Sequence, residues 1–480
     1  MVKSERLQSD KVGSSEAGKR KLRQAIKDAG LTQEKLAKEA NVSVDTVKRL
    51  LGTKDCPNGL ERWAVENVAE AVGIAPTDIV DPKDWYGLPE LPEEFAALIK
   101  DKIETFCGRQ FIFKEFEEFC QENPCGYFIV VGDAGTGKTA IAAKYVSEHY
   151  APCYFNILAE GRNRPELFLK SIRQQLSDRF SLADAQQADL PGLLAQASRQ
   201  LSANESLVIV VDALDEVNQE PGDNLLYLPT TLPERVYFLL TRRPYNLEKK
   251  RLTVSPSLPV KELDVAAREY FEFSRADVKA YINLWLNPAA DLPSAKDSKN
   301  AKNAKNALKR WIEQRQIASE EFAEQVAQKS ENNFMYLRYV LPAIARGFYD
   351  DLTLKQLPDG LQEYYQTHWT RMGMQKYKEN KPTELMVLVL FTFVEIGTPI
   401  TKEIITGVAR AEESQVEEVL AQWVEYLKEQ HIEEELCYSI YHASFLEFLK
   451  AKRELKPTRS LFREVNERIV AYLEKAIDLF

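Results

Sequence analysis

Along residues 20–72, apolar positions recur three and four residues apart in short stretches, the spacing of amphipathic helices. Leu22, Ala25, Ile26 and Ala29 share one face of a first helix over residues 20–29. Leu36, Ala37 and Ala40 mark a second, opened by Thr32, a residue type that caps helix N-termini. After a break at Asn41-Val42, Val44, Val47 and Leu50 mark a third behind Ser43, and Leu60, Ala64, Val68 and Val72 a fourth from about residue 58. From residue 128 the rhythm changes. Continuous apolar runs at 128–131 and 207–211 read as buried parallel strands, and 153–158 and 235–240 as two more. Helical patterns lie between them: Ile141, Ala142, Tyr145 and Val146 after the first run, and Phe168, Ile172 and Leu176 within 165–180. Such alternation predicts a parallel sheet flanked by helices, with any ligand at the carboxyl ends of the strands. Residues 264–350 are mainly helical, and 385–394 form a buried helix too short to span a bilayer.

The chemistry sits at those strand ends. The first run feeds Gly132-Asp133-Ala134-Gly135-Thr136-Gly137-Lys138-Thr139-Ala140, a P-loop spacing. In it the glycines let backbone N–H groups turn toward phosphate oxygens, the lysine reaches the β- and γ-phosphates, and the threonine hydroxyl ligates Mg²⁺. ATP or ADP with Mg²⁺ is therefore the expected ligand. The second run ends in Asp212-Ala213-Leu214-Asp215-Glu216, where Asp212 can hold the metal and Asp215 or Glu216 can orient an attacking water. A later strand ends in Thr241-Arg242-Arg243-Pro244, arginines suited to sensing a γ-phosphate.

Length, composition and charge add the surroundings. At 480 residues the chain exceeds one ordinary core. The first residues are polar without an apolar signal segment, and six cysteines show no CxxC pair, so a cytoplasmic protein with free thiols and no membrane partner is expected. Net charge is −10, but residues 1–55 hold 13 Lys/Arg against 8 Asp/Glu. A basic head on an acidic body points to an anionic partner for the head. Residues 1–17 read as a flexible polar arm, the four prolines between Pro76 and Pro92 as a linker, and the Ala-Lys-Asn repeats of 291–309 as a solvated loop or frayed helix.

Three resemblances sharpen this reading. Residues 31–52, LTQEKLAKEANVSVDTVKRLLG, resemble the lambda-repressor-type helix-turn-helix, with Asn41 where the family commonly has glycine. That resemblance implies double-stranded DNA as partner, with Ser43, Asp45, Thr46, Lys48 and Arg49 facing the major groove and Gln33 at a phosphate. Gly108-Arg109 before the P-loop, DALDE and the Thr-Arg-Arg-Pro strand end together resemble STAND-class ATPases of the NACHT branch. This implies that Gly108 and Arg109 border the adenine and that Arg243 senses the γ-phosphate, although Arg242 replaces the family's serine. Asp277 to Ile282 and Ser330 to Leu337 look like the lid helices of that class, and Tyr441-His442-Ala443-Ser444-Phe445 resembles its winged-helix end, implying that His442 touches the β-phosphate of ADP.

The expected fold is multidomain and mostly α. It comprises an all-α helix-turn-helix head (1–80), a Pro-rich linker (81–104), a central α/β P-loop NTPase core (105–260), a helical lid (261–355) and a winged-helix C-terminal part (356–480). No internal repeat of 20–50 residues is present. The expected function is an ATP/ADP-dependent switch that hydrolyses slowly and couples nucleotide to homo-oligomerisation and DNA binding. The rival is a nucleotide-gated protein-interaction scaffold. A DNA motor is a weaker third reading, for no helicase motif follows DALDE.

Overall fold

The computed structural model describes residues 11–87, 91–180, 182, 188–202, 204–219, 223–244, 252–287, 298–375, 381–432, 435–452 and 460–477. The N-terminal helices form as the periodicity predicts, at Glu16–Asp28, Gln33–Glu39, Val44–Leu50 and Arg62–Ala71. Ser15, Thr32 and Ser43 cap the first three, each accepting a backbone N–H from the first turn. Asn41 adopts a left-handed φ of 49°, so it turns the chain as the usual glycine would. Two expectations need correcting. The part of the polar arm within the described residues is ordered: Lys11–Val12 pairs antiparallel with Leu60–Glu61, and the first helix begins at Glu16. The fourth helix accordingly starts at Arg62, because Leu60 and Glu61 are spent on that pairing.

The expected linker also carries structure. Pro82–Tyr86 is a short helix ending at Gly87 in a left-handed conformation, and Glu93–Glu104 is a three-turn helix. The latter buries Phe95 and Ile99 and packs along Lys138–His149, the helix that follows the P-loop. Its apolar residues were outweighed in the sequence by the prolines around it.

At the centre lies a five-stranded, all-parallel sheet in the order Cys153–Phe155, Leu207–Asp212, Val236–Arg242, Gly126–Val131, Val260–Asp264. The three inner strands are buried along their whole length, as their continuous apolar runs require. Val260–Asp264 extends the sheet past the expected boundary at residue 260. Being an edge strand, it buries only Leu263 and reads as polar.

Two apolar cores organise the whole. One runs from Val12 to Val265 and joins the head to the sheet. Where the linker joins this core, the Arg179 guanidinium lies 3.7 Å over the Tyr86 ring and donates to the carbonyl of Tyr150, just past the P-loop helix, at 3.0 Å. The second core runs from Val278 to Val465. It includes the helices Phe271–Leu286, Ser298–Gln314, Ser319–Lys329 and Phe334–Ala345, then Lys381–Ile396, Lys402–Ala409 and Glu413–Gln422. A hairpin, Leu427–Ile432 with Glu435–Ile440, pairs with Ile400–Thr401 to complete the element order of a winged helix. The Ala-Lys-Asn segment is helical from Ser298 and anchored by Leu308, Trp311 and Ile312, while residues 291–297 lie outside the described part. No helix among the described residues is long and apolar enough to cross a membrane.

Candidate functional site

The strand Gly126–Val131 delivers the chain to a loop that turns back through two left-handed glycines, Gly135 (φ 86°) and Gly137 (φ 94°). The helix Lys138–His149 starts at once, so its unpaired first N–H groups point at the loop's concavity, an arrangement that suits anions. Lys138 folds over that concavity, its Nζ donating to the carbonyls of Gly132 at 2.6 Å and Asp133 at 2.8 Å. Burial pulls its ammonium below the usual lysine range, against the opposing pull of Asp215 and Asp212. Thr136 Oγ1 donates to the Asp133 carbonyl at 2.9 Å and braces the turn, and Ala134 and Ala140 line the cavity beside it.

Strand Leu207–Asp212 carries Asp212 to the adjacent strand end. Its carboxylate accepts from Thr139 Oγ1 at 2.8 Å and Thr241 Oγ1 at 2.5 Å, and burial raises its pKa. Thr241 also accepts the Ala213 N–H at 3.0 Å, fixing the left-handed turn (φ 55°) that swings Asp215 and Glu216 out of the sheet. Asp215 pairs with Arg243 Nε at 3.3 Å and accepts its backbone N–H at 3.0 Å. Glu216 accepts the Leu158 N–H at 3.1 Å, and burial, helped by Asp215 and Asp212, raises its pKa to about 7.

The tandem arginines separate by direction. Arg242 is buried and grips both carboxylate oxygens of Glu262 at 2.9 Å, reaching across the P-loop strand to the sheet edge. Arg243 faces the cavity, held by Asp215 and by Glu447 of the helix Ala443–Ala451. Of Gly108 and Arg109, expected at the adenine, Arg109 lines the cavity, and both also meet the neighbouring helix Phe271–Leu286. Gly108 has a φ of 72°, and a Cβ there would lie 2.0 Å from Asp277 Oδ1. Arg109 is buried and ties the P-loop to the helix Phe271–Leu286: its guanidinium donates to the Thr136 carbonyl at 2.7 Å and to Ser274 Oγ at 2.9 Å, while its N–H meets Asp277 at 2.9 Å.

Arg109, Ala134, Gly135, Gly137, Lys138, Thr139, Ala140, Asp212, Asp215, Glu216 and Arg243 line one cavity of about 930 Å³ between the sheet and the second core, whereas Gly108, Gly132, Asp133, Thr136 and Arg242 stand behind its wall. His442 lines it from the far side. It caps the helix Ala443–Ala451, with Nδ1 accepting the Ser444 N–H at 3.2 Å. Burial, with Arg243, Lys102, Lys138 and Arg338 nearby, drives its pKa down to about 3, so it is a neutral imidazole. Sequence reasoning passed over four further residues here. Asn333 donates to the Ala134 carbonyl at 2.8 Å while capping the helix Phe334–Ala345, whose first N–H donates to the Gly135 carbonyl at 2.9 Å. Tyr441 accepts from Lys102 Nζ at 2.9 Å and lies 4.8 Å from the Arg338 guanidinium. Only the side chain of Asn at a helix start gave a signal in the sequence; the others come together from distant segments.

The head's candidates lie apart from the cavity. Lys48 and Ser43 are exposed; Gln33, Asp45, Thr46 and Arg49 are half-buried. Ser43 and Thr46 share a hydrogen bond of 2.9 Å, and Asp45 is paired with Lys54.

The donor set fits a nucleotide with Mg²⁺. A lysine, helix N–H groups and two left-handed glycines suit phosphates, and the Thr139 hydroxyl beside the Asp212 carboxylate suits a hard cation. Among the described residues no group of three or more His, Cys, Asp or Glu could hold a metal alone, so the cation needs oxygen ligands from phosphate and water. A family model decides the class: residues 126–288 match the NACHT domain. The match covers 163 of the 480 residues, about a third of the chain. No curated protein matches the chain. Among solved structures, a Pyrococcus horikoshii STAND protein with a tetratricopeptide repeat sensor aligns at 15% identity over 77% of this chain and 45% of its own, with a TM-score of 0.33. The present chain thus spans less than half the length of that protein. Drosophila ORC bound to DNA aligns at 14% identity over 75% of this chain and 99% of its own (TM-score 0.28). The Thermotoga maritima RuvB Holliday junction branch migration motor aligns at 14% over 76% and 98% (TM-score 0.22). The NACHT match ends at residue 288 and therefore takes in the edge strand and the helix Phe271–Leu286 that holds Arg109.

Proposed function

We propose that this protein is an ATP/ADP-dependent regulatory switch whose nucleotide state governs self-assembly and DNA binding by its basic head. One observation carries the reading: Lys138, Thr139, Asp212, Arg243 and, from the C-terminal winged helix, His442 all line one cavity. A metabolic site would be complete on the sheet alone. Here the second core supplies part of the wall, so occupancy and the packing of the two cores are linked.

In this mechanism Lys138 turns from the loop carbonyls to the β- and γ-phosphates, and the P-loop N–H groups cradle them. Mg²⁺, when bound, neutralises developing phosphate charge. Thr139 and Asp212 would hold it, and Thr241 fixes the Asp212 carboxylate by donating to it. Glu216, at its raised pKa, positions and deprotonates water; Asp215 orients Arg243 toward the terminal phosphate. The neutral His442 donates one hydrogen bond to a diphosphate, holding the winged helix closed. In the present arrangement Glu216 is engaged by the Leu158 N–H and Lys138 by carbonyls, so hydrolysis needs rearrangement and is slow.

DNA is the favoured partner of the head because Lys48 is exposed beside Ser43 on a capped helix of a basic segment. A second reading rests on Trp63, 53% exposed beside Ser43 and Thr46 in an open groove, which suits recruitment of a protein. Nucleotide titration and gel shifts on random duplex DNA at low salt test both. Lys138→Ala should abolish ATP and ADP binding; Lys48→Ala with Arg49→Ala should weaken DNA binding about tenfold or more. Nucleotide affinity intact in the Lys138 variant would refute the site. Absence of DNA binding by the unmutated protein would leave the scaffold reading.

A further inference from the structure

Arg243, which lines the cavity, is held by two carboxylates, Asp215 from the end of the sheet and Glu447 from the helix Ala443–Ala451. Asp215 is the permanent partner, since it also accepts the Arg243 backbone N–H at 3.0 Å and is 14% exposed. Glu447 is the replaceable one: its side chain is 55% exposed and it stands on the helix Ala443–Ala451, whose N-cap is His442. A guanidinium offers a planar fork of donors, and a carboxylate and a phosphate compete for the same edge of it.

We propose that Glu447 determines which nucleotide the closed protein holds, by occupying the face of Arg243 that a γ-phosphate needs. A nucleoside diphosphate leaves the Arg243–Glu447 pair intact. A triphosphate brings a second anion to the same guanidinium and must displace the carboxylate. Glu447 then carries its helix away, and with it His442, which precedes it on that helix. The contact that favours a diphosphate and the one that disfavours a triphosphate thus leave together. The inference rests on the proposed reading that Arg243 meets the γ-phosphate, and adds to it the residue that opposes this contact.

The test is the affinity of the full chain, with Mg²⁺, for ADP and for a non-hydrolysable ATP analogue. Glu447→Gln keeps size and exposure and removes the competing charge. It should tighten the analogue about tenfold while changing ADP less than about twofold. An unchanged ratio overturns the inference, and so does an equal change for both ligands, the mark of a merely structural tie. Arg243→Gln separates the layers. It should weaken the analogue and erase the effect of Glu447→Gln. If it leaves analogue binding unaltered, the assignment of Arg243 fails and takes the inference with it. If it weakens the analogue while Glu447→Gln does nothing, only the inference fails.

Discussion

Single residues here are held by what surrounds them rather than by their own preferences. Glu205 is the clearest case. It is 3% exposed, one oxygen accepts the Ser202 N–H at 2.9 Å, and the other has no hydrogen-bond partner among the described residues. Burial raises its pKa to about 7 from an ordinary 4.5. The folded protein therefore holds this proton more tightly than the unfolded chain does. Its contribution to stability is complete below pH 4.5 and is lost as pH rises through 7. Glu205→Gln cannot ionise, so thermal melting should show it more stable than the unmutated protein at pH 8, by about 3 kcal/mol, with the difference shrinking to under about 1 kcal/mol near pH 5. A constant difference across that range would contradict the burial argument. That Lys138, Thr139 and Asp212 come together at one cavity was legible in the sequence, from local spacing at the ends of two strands. The family resemblance picked Arg243 over Arg242, but spacing alone does not separate them, because which one turns inward depends on Glu262, a residue on a strand that pairs with the P-loop strand, not with theirs.

Elements show the same division. Inner strands announce themselves by unbroken apolar runs, and the capped helices of the head by Thr32 and Ser43. Missed elements were those whose partners are remote: the two-residue strand Lys11–Val12, the edge strand Val260–Asp264 and the helix Glu93–Glu104 in its proline-rich setting. The helix Phe334–Ala345 matters most for function. Its cap residue, Asn333, accepts the Met335 N–H at 3.0 Å and the Tyr336 N–H at 3.2 Å, while its amide donates into the P-loop. Asn333→Ala removes both sets of bonds. It should cost about 1–2 kcal/mol in thermal or denaturant unfolding, and speed release of a fluorescent ADP several-fold. Loss of stability with unchanged release would reduce Asn333 to a helix cap and detach this helix from the switch.

At the scale of the whole molecule, two cores meet over a single cavity. Tyr441, between Lys102 and Arg338, and Lys428, paired with Glu160 at 2.6 Å, join the winged helix to the rest beside the phosphate-binding loop. Such polar, partly exposed junctions are worth little each, so a ligand that favours one packing of the cores can shift the population. The head shares its core with the sheet and meets the segment before the strand Leu207–Asp212 where Ser202 Oγ donates to Glu66 at 3.5 Å. Rearrangement is therefore expected between the cores, with head and sheet moving as one. The most direct test is the mass of the full chain in solution with Mg²⁺ and either ADP or a non-hydrolysable ATP analogue. The account predicts a single 54.9 kDa chain with ADP, a multiple of that mass with the analogue, and no shift for Lys138→Ala. The same mass with both nucleotides, under conditions where both are bound, would contradict it.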